Sequence, residues 1–252
     1  MLVAFDVDGV LVEVSESYHQ ALPETISLFL KSEVDSGLVL ALKHRLALNN
    51  DWDATLAGIL YYRSRKQVED FILMAQSGPP DYRKIYRLAA EMKIELPDYK
   101  QVISEFESIY RKHREKEKLH LPVEFLEKVR ERARVMAVIT GRTREDLDHT
   151  FKRYSLDKYF DYVITEDDLP GVEFRKPSSY PLKRLLKSSG YFGPACYVGD
   201  TLIDRQMVEN YCREENKPMA FVLYRHQYNA QVEAELAAGN PAELLEVICR
   251  LE

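Results

Sequence analysis

Short apolar runs alternate with amphipathic helical patterns at the start of the chain and again from about residue 119 onward. Continuous, partly β-branched runs of this kind are typical of strands buried on both faces. The five runs are Met1–Phe5, Val135–Ile139, Tyr162–Ile164, Cys196–Val198 and Ala220–Leu223. Helical patterns accompany them at Val123–Arg132, Thr143–Tyr154, Ser179–Ser189, Ile203–Glu215 and Pro241–Arg250. Each crossover is long enough for a helix, so the pattern predicts an α/β fold with a parallel sheet.

The stretch from residue 13 to residue 118 has no comparable strand pattern. Its helical candidates are Ser17–Leu30, Leu38–Leu48, Asp51–Tyr62, Lys66–Gln76, Tyr82–Met92 and Tyr99–Lys118, divided by the break Ser77–Pro80. We therefore predict two domains. Residues 1–12 and 119–252 form the α/β domain, and residues 13–118 form a helical module inserted after its first strand.

Composition narrows the class of protein. The 252 residues carry 35 Lys and Arg against 41 Asp and Glu, a net charge of −6, which argues against a nucleic-acid partner. The apolar opening ends at Asp6, too early for a signal peptide or a membrane span, so we expect a cytoplasmic protein without a membrane partner. Three scattered cysteines suggest neither a disulfide framework nor a zinc site.

Two carboxylates, Asp6 and Asp8, follow the first apolar run directly, and Gly9 permits the chain to turn there. Open α/β sheets bind ligands at the carboxyl ends of their strands. A turn without a function explains this fragment equally well.

Three further groups follow later strands. They are Thr140-Gly141-Arg142, whose hydroxyl, amide and helix start suit a phosphate, then Lys176, then Asp200 and Asp204 after Gly199. Each has an ordinary explanation as a turn residue, a solvated lysine or acids at a helix start. Four such groups, each after a predicted strand, favour a phosphate site.

These motifs, Asp6-x-Asp8, Thr140, Lys176 and Gly199-Asp200-x-x-x-Asp204, resemble in order and spacing those of the haloacid dehalogenase-like (HAD) hydrolase superfamily. The resemblance implies a Rossmann-like parallel sheet core, and residues 13–118 look like the superfamily's C1-type helical cap domain. The aspartate at position 8 is typical of its phosphatases and sugar phosphomutases.

The resemblance also implies roles for the residues. Asp6 is the expected nucleophile, and Asp8 is the expected general acid and base. Thr140 and the Gly141 amide are expected to hold phosphoryl oxygens, while Lys176 steadies the Asp6 carboxylate and the phosphate.

A cluster of Asp6, Asp8 and Asp200 facing a phosphate would repel itself without a cation, and Mg²⁺ prefers such oxygen ligands. We expect one Mg²⁺, held by the Asp6 and Asp200 carboxylates and the Asp8 backbone carbonyl. Asp204 is expected to orient waters or Lys176. Arg142 either contacts the substrate or bridges to the surface.

In the helical module, Asn50 and Trp52 combine amide groups with the only tryptophan, a mixture that suits a polar leaving group. The alternative is that Asn50 or Asp51 caps the following helix. The six histidines are scattered, which favours surface or packing roles.

The sequence thus predicts a Mg²⁺-dependent phosphatase that hydrolyses a small phosphorylated metabolite through an aspartyl-phosphate, with the cap setting substrate choice. A sugar phosphomutase and a non-catalytic phosphometabolite-binding protein are the alternatives.

Overall fold

A computed structural model describes residues 1–75 and 81–251. The chain divides into two compact units, Met1–Glu13 with Lys118–Glu252 and Val14–Glu117. The predicted boundaries lie one residue away from these, and the predicted break Ser77–Pro80 lies outside the described residues. The chain leaves the first unit after β2 (Val12–Glu13) and returns in β3 (Lys118–Leu119), and these two short strands pair antiparallel.

The first unit is built on a parallel sheet, which confirms the predicted α/β class. Six of its strands within the described residues are hydrogen-bonded in the order β5-β4-β1-β6-β7-β8. Besides β1 (Leu2–Phe5), these strands are β4 (Val135–Ile139), β5 (Tyr162–Ile164), β6 (Ala195–Gly199), β7 (Ala220–Tyr224) and β8 (Leu236–Ala238). All residues of β1 and β4 are buried, as their unbroken apolar runs require.

Five helices accompany the strands of this unit, and each lies within two residues of its predicted bounds. They are α7 (Val123–Arg130), α8 (Arg144–Tyr154), α9 (Tyr180–Ser189), α10 (Leu202–Glu215) and α11 (Pro241–Arg250). Thr143 caps α8 through a hydrogen bond from the backbone N–H of Asp146 to its hydroxyl, as the Thr-x-x-Asp pattern predicts. Leu182 of α9 and Met207 of α10 are fully buried in the core that also contains Leu2 and Ala137 of the sheet.

The second unit is helical in its described part. Its helices are α1 (Tyr18–Leu30), α2 (Ser36–Arg45), α3 (Asp51–Ser64), α4 (Val68–Ala75), α5 (Tyr82–Glu91) and α6 (Tyr99–His113). Aromatic rings pack between α1 and α6, where the Tyr18 and Tyr110 rings stack with centroids 4.1 Å apart. No helix in the described ranges is long and apolar enough to cross a membrane.

The end of α6 and the strand β8 differ from the prediction. The last helix of the second unit ends at His113 instead of Lys118, because Arg114–Lys116 tighten into a 3₁₀ turn and Lys118 begins β3. The strand β8 was not predicted at all, since Leu-Ala-Ala is too short and too poor in β-branched residues to stand out.

Candidate active site

The candidate site lies at the carboxyl edge of the parallel sheet. Asp6 continues directly from β1, and its backbone N–H donates to the carbonyl oxygen of Val198 in β6 (2.9 Å). Thr140 follows β4 on the other side of β1, and its backbone N–H donates to Ile164 of β5 (3.0 Å). Parallel pairing therefore brings the groups that follow β1, β4 and β6 to one edge.

The chain turns sharply after Asp6. The backbone N–H groups of Leu11 and Val12 both donate to the carbonyl oxygen of Val7 (2.9 Å each), which closes the turn. Gly9 lies inside it with φ +75°, a conformation that side chains with a Cβ rarely adopt. A Cβ at Gly9 would lie 2.3 Å from the Asp200 Oδ2 atom, so the turn approaches Asp200 as closely as a glycine allows.

Lys176 is fixed by three protein oxygens. Its ammonium donates to Tyr197 Oη (2.7 Å) and Asp204 Oδ1 (2.8 Å), and it lies 3.0 Å from Asp6 Oδ1. An ammonium has three N–H donors, so these contacts use all of them. A phosphoryl oxygen at Lys176 would have to share one of these donors. The Tyr197 hydroxyl, which the sequence did not single out, lies 3.0 Å from the Ile139 carbonyl oxygen and ties Lys176 to β4.

Burial and neighbouring charges together set the pKa values of Asp6 and Lys176. Desolvation raises the pKa of Asp6 well above its ordinary value, and the positive charge of Lys176 lowers this pKa in part. The negative charges of the carboxylates of Asp204, Asp200 and Asp8 raise the pKa of Asp6 further. Desolvation alone would lower the pKa of Lys176, but the adjacent Asp204 and Asp6 carboxylates raise it above its ordinary value. Lys176 therefore stays protonated, and further positive charge beside Asp6 would favour the ionised form of that carboxylate.

Arg142 binds Asp8. Its Nε and Nη2 atoms donate to the same carboxylate oxygen, Asp8 Oδ1, at 2.8 and 2.6 Å. Its Nη1 atom donates to the hydroxyl of Thr150 in α8 (2.7 Å). The Arg142 side chain is fully buried, so the alternative of an arginine that bridges to the surface is wrong. The guanidinium instead holds the carboxylate that the sequence assigns to proton transfer.

Thr140 is buried, with 3% of its surface exposed. Its hydroxyl oxygen accepts a hydrogen bond from the backbone N–H of Arg142 (3.1 Å), so its own proton can be donated to another oxygen. Gly141 lies between them in the loop that joins β4 to α8. A donor hydroxyl beside a helix start suits an anion.

Three carboxylates can hold a cation. Asp6, Asp200 and Asp204 each place one oxygen within 4.8 Å of the others, and all three residues are buried. Asp200 Oδ1 is buried without a hydrogen-bond partner in the described part of the chain. Both oxygens of Asp204 already accept hydrogen bonds, Oδ1 from Lys176 and Oδ2 from Thr201 (2.6 Å). Asp6 and Asp200 are therefore the better candidates for metal ligands, and Asp204 accepts a hydrogen bond from Lys176.

The charges also fit a divalent ion. When Asp6, Asp8, Asp200 and Asp204 are all ionised, they face the cations Lys176 and Arg142 with an excess of two negative charges in this set. Burial raises the pKa of Asp200 as well, against a hydrogen bond from His226 that lowers it. Hard oxygen ligands with uncompensated charge are the donor set that Mg²⁺ takes. The residues present thus fit a magnesium ion.

A family model for haloacid dehalogenase-like hydrolases matches residues 1–210, most of the chain. The chain belongs to the haloacid dehalogenase-like hydrolase family. All four motifs of this HAD-like hydrolase, from Asp6 to Asp204, lie inside the matched range. A curated protein of Phytophthora nicotianae named imidazoleglycerol-phosphate dehydratase is 29% identical over 211 residues, which are 79% of this chain. The match spans 39% of that protein's length.

Solved structures share the fold of this HAD-like hydrolase. Phosphatase Tt82 from Thermococcus thioreducens superposes with a TM-score of 0.69 at 21% identity, over 99% of each chain. CbbY from Rhodobacter sphaeroides, solved in complex with phosphate, gives 0.65 at 15% identity over 96% of this chain and 95% of its own. A protein assigned as a β-phosphoglucomutase from Thermotoga maritima gives 0.58 at 17% identity, over 100% and 99%.

Two functional candidates of the helical unit have structural partners there. Asn50 is the N-cap of α3, and its side-chain oxygen accepts from the backbone N–H of Asp53 (3.1 Å). The Trp52 indole N–H donates to Glu107 of α6 (2.8 Å). The capping alternative therefore describes Asn50, and a substrate contact for Asn50 or Trp52 stays a prediction.

Sequence reasoning missed His226 and Asn229. His226 Nε2 lies 2.9 Å from Asp200 Oδ2, so this histidine contacts a candidate site residue, a contact that the scattered spacing of the histidines does not predict. The sequence position of His226 could have revealed this contact, because His226 follows β7 by two residues. The strand β7 pairs parallel with β6 and ends at the same edge of the sheet. Both residues lie beyond the range matched by the family model.

Proposed function

We propose that this HAD-like hydrolase is a Mg²⁺-dependent phosphatase that hydrolyses a small phosphate monoester through an aspartyl-phosphate on Asp6. The observation that carries the proposal is the buried Asp6 carboxylate, 3.0 Å from Lys176. It lies in one cluster with Asp200, whose Oδ1 has no hydrogen-bond partner among residues 1–75 and 81–251. Such an arrangement stabilises an ionised nucleophile and charge on an approaching phosphoryl group.

In the first step, an Asp6 carboxylate oxygen attacks phosphorus and forms an acyl-phosphate bond, while the bond from phosphorus to the ester oxygen breaks. Protonated Asp8 gives its proton to the leaving oxygen, so the product is an alcohol. The Thr140 hydroxyl and the Gly141 amide donate to the phosphoryl oxygens. Lys176 keeps the Asp6 carboxylate in position, and Asp204 and Tyr197 keep Lys176 in position.

In the second step, water attacks the phosphorus of the acyl-phosphate and Asp8 accepts its proton. The bond between phosphorus and the Asp6 oxygen breaks, which restores the carboxylate and releases inorganic phosphate. The hydrogen bonds from Arg142 to Oδ1 hold the Asp8 carboxyl group near one orientation through both steps.

The residues that would hold the magnesium ion are Asp6 and Asp200, through their carboxylates, and Asp8, through its backbone carbonyl. When bound, the ion neutralises charge on the phosphoryl oxygens. Asp6 and Asp200 are buried with raised pKa values, so a cation also favours their ionised forms.

The proposed substrate is a small phosphorylated metabolite, and the helical unit is proposed to select it. The core residues recognise only the phosphoryl group, so a screen must vary the rest of the molecule. Imidazoleglycerol phosphate belongs in the screen because the name of the curated relative contains it. The name of Tt82 supports phosphatase activity for a protein of this fold.

The test is a phosphate-release screen of sugar phosphates, nucleotides, phosphoglycolate, amino-alcohol phosphates and imidazoleglycerol phosphate, with Mg²⁺ or with chelator. We expect release from at least one ester with Mg²⁺ and none in chelator or with Asp6→Asn. Isomerisation of a sugar phosphate primed by a bisphosphate, without phosphate release, would instead identify a phosphomutase. Inertness toward every ester would favour a binding protein. Full activity in chelator would overturn the proposed metal dependence.

A further inference from the structure

The loop after β7 holds Asp200 at two points. His226 contacts its side chain, with 2.9 Å between Nε2 and Asp200 Oδ2. The Asn229 side-chain amide donates to the Asp200 carbonyl oxygen (2.9 Å) and to the Tyr224 carbonyl oxygen at the end of β7 (2.8 Å). Asp200 is therefore fixed both in its main chain and in its carboxylate.

The hydrogen bonds of His226 determine its tautomer. The backbone N–H of Tyr228 donates to His226 Nδ1 (3.2 Å), so Nδ1 is the acceptor of a neutral imidazole and Nε2 carries the proton. Nε2 then donates to Asp200 Oδ2. The backbone N–H of His226 donates to Asn229 Oδ1 (3.0 Å), which links the two residues of the loop.

Packing fixes the plane of the His226 ring. The His120 ring stacks on it at 6.3 Å between centroids with an interplanar angle of 4°, and the Tyr228 ring packs at 5.9 Å. The His226 side chain is only 15% exposed. The direction of its Nε2–H bond is therefore fixed before any cation arrives.

This arrangement separates the two oxygens of Asp200. Oδ2 accepts from His226, whereas Oδ1 is buried without a hydrogen-bond partner among the described residues. Gly9 approaches Oδ2 so closely that a Cβ there would lie 2.3 Å away, which further limits rotation of the carboxylate. Asp200 Oδ2 is thus held by a hydrogen bond within the protein, and Asp200 Oδ1 is available to bind a cation.

We propose that His226 and Asn229 are positioning residues that orient Asp200 so that Oδ1 binds the divalent ion. The inference rests on the proposed function, because the ion is the one which that function requires. Neither residue touches the phosphoryl group in this account. Their effect is on cation affinity, since a carboxylate that rotates freely loses part of its preorganisation.

The test compares two substitutions of His226. In His226→Gln, the side-chain amide can place an N–H donor where Nε2 lies, whereas His226→Phe keeps a ring for packing and loses the donor. Mn²⁺ alone is the probe, and its binding is followed by loss of the free-ion signal in electron paramagnetic resonance. Melting temperatures of the metal-free variants establish that they fold.

We expect His226→Phe to weaken Mn²⁺ binding by about 10- to 100-fold and His226→Gln to stay near wild type. Phosphatase activity of His226→Phe should recover as Mg²⁺ is raised, because the defect is in cation affinity. Asn229→Ala should weaken binding in the same direction, and it decides the question if His226→Phe does not fold. Wild-type Mn²⁺ affinity in the folded His226→Phe variant, or an equal loss in the Phe and Gln variants, would overturn the inference.

Failure of the proposed role of His226 can be distinguished from failure of the proposed phosphatase function. A wild-type protein that binds Mn²⁺ but hydrolyses no phosphate ester would overturn the phosphatase assignment, while the comparison of Mn²⁺ affinities would still test the role of His226.

Discussion

Arg142 directs two of its N–H donors at a single oxygen of Asp8, with Nε at 2.8 Å and Nη2 at 2.6 Å from Oδ1. Two donors that converge on one oxygen hold that oxygen in a narrower range of positions than a single point charge does. The arginine is anchored in turn by Thr150 of α8 (2.7 Å). Proton transfer by Asp8 therefore depends on a residue that does not itself need to contact the substrate.

Replacing Arg142 by lysine tests this dependence. The change keeps a positive charge but removes this pair of converging donors, so the Asp8 carboxylate loses its fixed orientation. We expect kcat for an alkyl phosphate to fall by about ten-fold or more, because its leaving oxygen needs a proton. The kcat for p-nitrophenyl phosphate should fall much less, since nitrophenolate leaves without one. Equal losses for the two esters, in a variant shown by its melting temperature to fold, would contradict the positioning role.

Gly9→Ala tests the close approach to Asp200. Its φ of +75° strains an alanine by about 1–2 kcal/mol, and the new Cβ would also lie 2.3 Å from Asp200 Oδ2. The matched control is Gly190→Ala at the end of α9, where φ is +60° and nothing lies within 4 Å of the Cβ. Both variants should lose stability in chemical denaturation. Only Gly9→Ala should also lose Mg²⁺ affinity in calorimetry, and a similar loss in both would refute the contact.

Asp200→Asn tests the electrostatic cost of the metal-free site. Burial raises the pKa of Asp200 above its ordinary value of 3.8, so the Asp200 carboxyl group binds its proton more tightly in the folded protein than in the unfolded chain. Near pH 3 the wild type and the variant should be similarly stable. As the pH rises through the raised pKa, the metal-free wild type should lose free energy of unfolding relative to Asp200→Asn. Denaturation curves in chelator at several pH values measure the difference.

Saturating Mg²⁺ should stabilise the wild type and should stabilise Asp200→Asn much less, because a neutral amide is a poor ligand for this ion. A wild type that gains stability relative to the variant as the pH rises in chelator would show that the carboxylate is already compensated by protein groups.

The helix-capping role of Asn50 can be tested separately from its predicted contact with substrate. Asn50→Ala removes the acceptor for the Asp53 N–H and should lower the free energy of unfolding by about 1 kcal/mol, whereas Asn50→Ser keeps an acceptor and most of that stability. The predicted substrate contact would in addition make kcat/KM change unequally across the ester screen in both variants. Unchanged ratios in Asn50→Ser would limit Asn50 to its helix.

The sequence predicts those residues of the site that directly follow a strand. The apolar runs of β1, β4 and β6 are uninterrupted and rich in strand-forming residues, so Asp6, Thr140 and Asp200 could be assigned to the ends of strands. Parallel pairing then brings them to one edge without any knowledge of side-chain contacts.

The direction of long side chains and the roles of lone residues could not be predicted in this way. Arg142 could have extended to substrate or to solvent, and only the packing of α8, which supplies Thr150, turns it toward Asp8. His226 stands in no motif, so its contact with Asp200 follows from the path of the loop after β7. The two-residue strands β2 and β3 and the short β8 give no detectable pattern.

The central claim is that Asp6 carries the phosphoryl group, and chemical trapping tests it most directly. Asp8→Asn, in which the second step lacks its base, is mixed with Mg²⁺ and p-nitrophenyl phosphate, because nitrophenolate leaves without the proton that Asp8 would supply in the first step. The reaction is quenched and treated with borohydride, which reduces an acyl-phosphate to an alcohol. Peptide mass spectrometry should then find homoserine at position 6, dependent on both ester and Mg²⁺ and absent from the double variant with Asp6→Asn. Phosphate release by the wild type, with residue 6 recovered as unmodified aspartate in both the wild type and Asp8→Asn, would contradict the account.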